Sequence, residues 1–284
     1  MNFGPRVREI RKSKGFSQKE VYANIISKSY AISFEKGENN ISVVLLIDIL
    51  DRLSMDIDEF LFINKGYLLN EYSDYIYNMS NYSNSHDLAS LKKMLQALSQ
   101  GRDTISRVRF AEIRCRIKAI EKFNRTGIFD GTETLEEDRN TIQSYLVGIE
   151  SWTLREIQFF GNTIEFLDFS AHFPLFKNLS KSLTLYMEYD KGREIFCSML
   201  VNLISQSIRM RYYDYAEVLT YQLKILCADY KNFIHQIITS YFENLLLIKK
   251  NGHSDSANKE CQNVLSILST YGHLSIANEL KSLS

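Results

Sequence analysis

Only 2 prolines and 12 glycines occur in 284 residues. Sandwiches and barrels use both residues at their many turns, so this scarcity excludes them and leaves long helices as the natural alternative. Charge of one sign is missing too. The 34 Lys and Arg balance 34 Asp and Glu, which excludes a generally basic nucleic-acid coat while leaving room for a local basic face. Apolar runs such as 43–47 and 245–248 fall far short of the ~20 residues that span a bilayer. The opening residues alternate in charge instead of forming an apolar leader, so no signal peptide is expected. The four cysteines, Cys115, Cys197, Cys227 and Cys261, form no C-x-x-C pair. They read as buried free thiols in a reducing, cytoplasmic compartment. What remains is an ordinary globular balance, 45% hydrophobic and 24% charged, with length for one or two domains.

The first 62 residues read as five short helices. Phe3, Val7 and Ile10 line one face of the first, which stops at Lys14-Gly15. Ser17 is a candidate N-cap with Glu20 completing a capping box, and Val21 and Ile25 give the second helix its inward face. Ser27 caps a third helix that ends at Gly37. Leu45, Leu46, Ile49, Leu50 and Leu53 make an amphipathic fourth, and a last one covers Ile57, Phe60 and Leu61. Two short helices joined by a tight turn and packed among three others are how a helix-turn-helix presents a recognition helix to the major groove. Charge agrees. Residues 1–36 carry eight basic side chains against three acidic, and residues 37–62 carry one against six, so the positive half lies where phosphates would.

Beyond Lys65-Gly66, the expected domain boundary, amphipathic segments alternate with short polar turns. Helices are expected near 67–82, 87–100, 104–124, 134–148, 152–168, 175–188, 192–210, 212–228, 230–250, 254–271 and 273–282. Such short breaks place each helix antiparallel to its predecessor. Asp214-Tyr215-Ala216 and Asp255-Ser256-Ala257 open two segments 41 residues apart, a lengthened echo of the ~34-residue tetratricopeptide period. Ala216, Ala257 and Ala277 would let partner helices approach. The expected architecture is all-α: a five-helix head over 1–65 and an α-solenoid of tetratricopeptide-like helix pairs over 66–284, with a long concave surface. No nucleotide, nucleophile-elbow or zincin motif occurs, and the five histidines are scattered. No enzyme activity, metal or cofactor is expected, and His235 reads as a packed residue.

The pattern Arg11-x6-Gln18-Lys19-x15-Glu35-Lys36-Gly37 resembles the lambda-repressor-like helix-turn-helix family. That resemblance implies a phosphate contact for Gln18, with Lys19 beside it, base-edge contacts for Lys28, Ser29, Tyr30 and Ser33, and a structural Arg11–Glu35 pair. The sequence departs from the family at the turn, where Ala23-Asn24-Ile25-Ile26 is one residue shorter and lacks glycine. Taken whole, the chain resembles the Rgg (GadR/MutR-type) regulators. The words that carry this are VREIRKSKG (7–15), SQKEV (17–21), IISKS (25–29), FEKGE (34–38), Ile41-Ser42, ILDRL (49–53) and DEF (58–60), with Glu150-Ser151-Trp152 and Phe160-Gly161-Asn162 less specific. The resemblance implies a cytoplasmic homodimer that binds promoter DNA and holds a short hydrophobic signalling peptide in the concave groove, as in quorum sensing. Peptide binding would then bias the heads or their contact with RNA polymerase. An intermolecular disulfide between heads, found in some relatives, is not expected, because no Cys precedes position 115. An apolar peptide needs an aromatic wall, amides and a cation for its carboxylate. Trp152, Arg155, Asn162, Asn202, Arg209, Tyr241 and Asn244 supply those chemistries, Trp152 and Arg155 being placed on one helix face. Two other readings are a dimeric repressor that senses nothing and a repeat scaffold that captures a protein partner.

Overall fold

A computed structural model describes residues 2–284, and among them it contains sixteen α-helices, three short 3-10 segments and no strand. The chain divides into two compact units, Met1–Asn78 and Met79–Ser284. None of the helices among the described residues is long and apolar enough to cross a membrane.

The first unit contains α1 (Gly4–Ser13), α2 (Gln18–Tyr22), α3 (Lys28–Lys36), α4 (Val43–Arg52) and α5 (Ile57–Asn64), with α6 (Glu71–Asn84) spanning the division. Its starts are chemically set. Ser17 Oγ accepts from the Glu20 amide at 3.2 Å and the Glu20 carboxylate accepts from the Ser17 amide at 2.7 Å, closing a capping box. Ser27 and Ser42 accept from the Tyr30 and Leu45 amides. In the turn between α2 and α3, Asn24 takes φ +66°, doing without glycine because asparagine tolerates the left-handed region. Val7, Val21, Ala31, Phe34, Ile49, Leu50, Leu53 and Phe60 form the core. α1 lies very close to α3. A Cβ on Gly4 would sit 1.6 Å from the Phe34 carbonyl oxygen, so no larger residue fits that contact.

One polar cluster sits inside this apolar shell. Arg11 donates to both Glu35 oxygens, at 2.6 and 2.9 Å, and also to the Phe16 carbonyl at 2.7 Å. Tyr22 Oη and Gln18 Nε2 each donate to Glu35 at 2.8 Å. Burial alone would raise the Glu35 pKa; the bonds from Arg11, Gln18 and Tyr22 outweigh it and hold the carboxyl below its ordinary 4.5.

The second unit contains α7 (Leu88–Leu98), α8 (Thr104–Thr126), α9 (Glu136–Val147), α10 (Leu154–Thr163), α11 (Phe169–Leu179), α12 (Asp190–Arg209), α13 (Tyr213–Leu226), α14 (Phe233–Asn251), α15 (Asp255–Thr270) and α16 (Leu274–Lys281). Packing is mainly between chain neighbours: α7 on α8, α8 on α9, α10 on α12, α12 on α13, then α13 through α16 in series, as in stacked helical repeats. Ala216, Ala257 and Ala277 are buried at those contacts. Tyr241 is fully enclosed, its hydroxyl donating to the Leu280 carbonyl at 2.8 Å. All four cysteines are buried free thiols, and desolvation pushes Cys115 and Cys197 up to about 12, so they are poor nucleophiles at neutral pH. One expected helix is displaced. In place of 175–188 there is α11, with Pro174 inside it, then a 3-10 segment Ser180–Tyr186. Pro174 falls in the second turn, where its missing N–H removes one intrahelical bond and leaves the rest of the helix intact.

Glu35→Gln should destabilise the protein by about 3–5 kcal/mol, because Arg11 is left buried without its counter-charge. In the native protein the Glu35 contribution is fully present above pH 4.5 and is lost as pH falls through the lower folded pKa. Urea unfolding of both proteins between pH 3 and 7, by order of magnitude of the expected titration, should therefore show an acid-side loss that is smaller in the variant. Tyr241→Phe should lose about 1 kcal/mol by the same measurement, from the hydroxyl's bonds to the Leu280 carbonyl and Ser284 Oγ.

Candidate functional site

α3 has two faces with different jobs. Ala31, Phe34 and Glu35 are buried and fasten it to the core. Lys28, Ser29 and Tyr30 are exposed and Ser33 is half-buried, and Lys19 is exposed near the start of α2. These five positions, with Gln18 as the sixth, lie on the short helices α2 and α3 of the helix-turn-helix. Their freedom differs. Tyr30 Oη donates to the Asn40 carbonyl at 2.6 Å. Ser33 donates to the Tyr30 carbonyl at 3.0 Å and accepts from Asn39 at 2.6 Å. Both are thereby tied to the loop that follows α3. Gln18 is turned inward to Glu35. Lys28 and Lys19 carry the solvent-facing positive charge. Asn39 and Arg8 were not anticipated at this face: Arg8 lies 4.0 Å from Glu35 and is half-exposed, and only its (i, i+3) spacing from Arg11 could have drawn attention to it.

The seven residues proposed for a peptide groove are dispersed through the second unit. Trp152 is buried, and it precedes α10 instead of lying on it, since Thr153 is the N-cap in a capping box with Glu156. The expectation that it shares a helix face with Arg155 is therefore incorrect. Its ring meets Phe160 edge-on at 6.1 Å, and its Nε1 has no hydrogen-bond acceptor. Arg155 is exposed in the first turn of α10. Asn202 donates to the Gly161 carbonyl at 2.9 Å, joining α12 to α10 beside Asn162, whose carbonyl accepts from Arg116. Asn244 bonds back to the Ser240 carbonyl of its own helix at 2.8 Å. Tyr241 is a second correction: as a wholly enclosed strut to Leu280 it offers no surface to a groove.

Arg209 ends α12 at the wall of a cavity of about 690 Å³, within the range of small-ligand sites. Around it lies a buried charge cluster. Arg116 pairs with Glu165 at 2.5 Å and sits against the rings of Phe129 and Phe166. Desolvation raises the Glu165 pKa and lowers that of Arg209. No group of three or more His, Cys, Asp or Glu among the described residues could hold a metal ion.

Two family models match this chain. The C-terminal domain of the HTH-type transcriptional regulator Rgg matches residues 92–282, and a helix-turn-helix model matches residues 7–60. Among solved structures, a Listeria monocytogenes EGD-e protein described as a transcriptional regulator is similar at 29% identity and a TM-score of 0.82, covering 98% of this chain and 94% of that one. The Streptococcus dysgalactiae SHP pheromone receptor Rgg2 is similar in fold at 23% identity and a TM-score of 0.74, with 98% and 97% covered. So is PrgX in its complex with cCF10, at 18% identity and 0.67, over 100% of both chains. With a helix-turn-helix at its start and the family's C-terminal domain over most of its length, the chain belongs to the Rgg family of DNA-binding transcriptional regulators.

Proposed function

We propose that this regulator works in the cytoplasm as a homodimer, docks its two recognition helices in successive major grooves of promoter DNA, and is modulated by a short hydrophobic peptide held by the second unit. The observation that carries the DNA half is the two-faced α3, which fastens itself through Glu35 and leaves Lys28 and Ser29 outward. Gln18 reaches a phosphate on this reading by leaving or sharing its bond to Glu35. Two heads reading one site would sit about one helical turn, ~34 Å, apart. The peptide half is supported by the stacked helix pairs and by relatives of the same fold that are named as a pheromone receptor and as a complex with cCF10. Arg155, Asn162, Asn202 and Arg209 remain the groove residues to test. The coupling needed between peptide and DNA is ~1–3 kcal/mol.

Lys28→Ala should weaken promoter binding at least about tenfold and flatten the salt dependence by about one phosphate contact, while light scattering still finds a dimer. Fluorescence anisotropy with the gene's own upstream DNA at two salt concentrations measures both. Binding no tighter than to random DNA would overturn the DNA reading, and a monomer in solution would overturn the dimer. Arg155→Ala should retain promoter affinity and lose the response to peptide; full peptide affinity in that variant would remove Arg155 from the groove.

A further inference from the structure

The cavity beside Arg209 has an unusual polar inventory. Its acids are largely satisfied: Asp130 is held by Lys122 at 2.7 and 2.8 Å, and Glu165 is paired with Arg116. Its cations are less so, Arg139 reaching only the Gly131 carbonyl at 3.5 Å. Arg139, Arg209, Arg211 and Lys249 all line the space, and Asp168 at the exposed rim is the one other acid there. Arg209 is the extreme case. Among the described residues no oxygen accepts a hydrogen bond from its guanidinium, which feels Glu279, Glu165 and Asp130 only through space and lies 5.9 Å from the Phe129 ring centroid. Close by, Gln206 Oε1 is a buried acceptor that receives no hydrogen bond among the described residues. A partly buried guanidinium whose N–H groups meet no protein acceptor is costly to maintain, and so is an unused acceptor beside it.

We infer that this cavity is a subsite for a carboxylate flanked by an N–H donor and an apolar side chain, the chemistry of the free C-terminal end of a short peptide. The carboxylate meets the Arg209 fork, which suits it geometrically. The adjacent peptide N–H meets Gln206 Oε1, and the last side chain lies among Phe166, Leu167 and Met210. This deepens the peptide reading above and rests on it, adding which end of the peptide is read and by which residues.

The test uses the full-length protein immobilised and challenged with pooled hexapeptides of Leu, Ile, Val, Phe and Gly, made once as free acids and once as C-terminal amides. Retained peptide is quantified by mass spectrometry. Free acids should be retained about tenfold or more over amides, the factor expected of one charge-assisted contact. Arg209→Met should abolish that preference and Arg209→Lys should restore part of it. The thermal midpoint of unliganded Arg209→Met should be no lower than wild type, because a desolvated guanidinium with no hydrogen-bond acceptor is being replaced by an apolar side chain; a clear fall would mark Arg209 as the structural counter-charge of the nearby acids and overturn the assignment. Equal retention of acids and amides would overturn this subsite while leaving the peptide reading standing, and retention of neither pool would overturn both. N-acetyl-leucine binding as tightly as the hexapeptides would overturn the peptide as occupant in favour of a small carboxylate.

Discussion

Glu35 is the constraint on which the DNA-binding unit depends. Its two oxygens accept four well-formed bonds, from Arg11 on α1, Gln18 and Tyr22 on α2, and the second nitrogen of Arg11 again. Three helices are thus indexed to one carboxylate. A buried ion pair adds little net stability over an apolar contact, yet it is severe on alternatives, since any register that separates the partners strands a charge. This is why α3 can keep a strongly exposed outer face. Its position comes from Glu35, Phe34 and Ala31 on the inside, so Lys28 and Ser29 contribute little to holding the fold and are available for contact.

The second unit is organised on the opposite plan. No single group indexes it; neighbouring helices pack along the chain, and polar struts such as Asn202 to Gly161 and Tyr241 to Leu280 fix particular pairs. Stability in such an array approximates a sum over neighbours, so local changes at one interface are tolerated without global loss. The arrangement suits the proposed peptide response, because an interface between two repeats can shift without melting the others.

Much of this was legible in the sequence, and the parts that were not share a physical cause. Helix positions followed from periodicity and from caps whose chemistry is local: Ser17 with Glu20, Ser27, and Gly37 at φ +83°. The Arg11–Glu35 pair was reached through family resemblance, because two residues 24 apart carry no local signal. α11 starts at Phe169, ahead of the expected 175, and runs through Pro174, because a proline in an early turn removes a single bond. The groove residues were the least legible. Periodicity separates buried from exposed faces, but it cannot say that Tyr241 turns toward Leu280 or that Trp152 falls one residue before an N-cap. Those depend on how helices distant in the chain are placed. Arg209 was selected for its charge, but its significance lies in what surrounds it, including Gln206 one turn earlier on α12.

The two plans carry different consequences for control. A ligand shifts a regulator only by the difference between its affinities for the competing states. The head, over-determined by Glu35, has little room for a second arrangement of its own helices. The second unit retains groups whose bonding is incomplete, Arg209 and Gln206 among them, and these are energetic deficits that a suitable ligand would relieve. Whatever completes their bonding stabilises the arrangement that brings them together relative to every arrangement that does not. If the proposed peptide control operates, a second arrangement is therefore to be sought among the helix pairs of the second unit and not within the head.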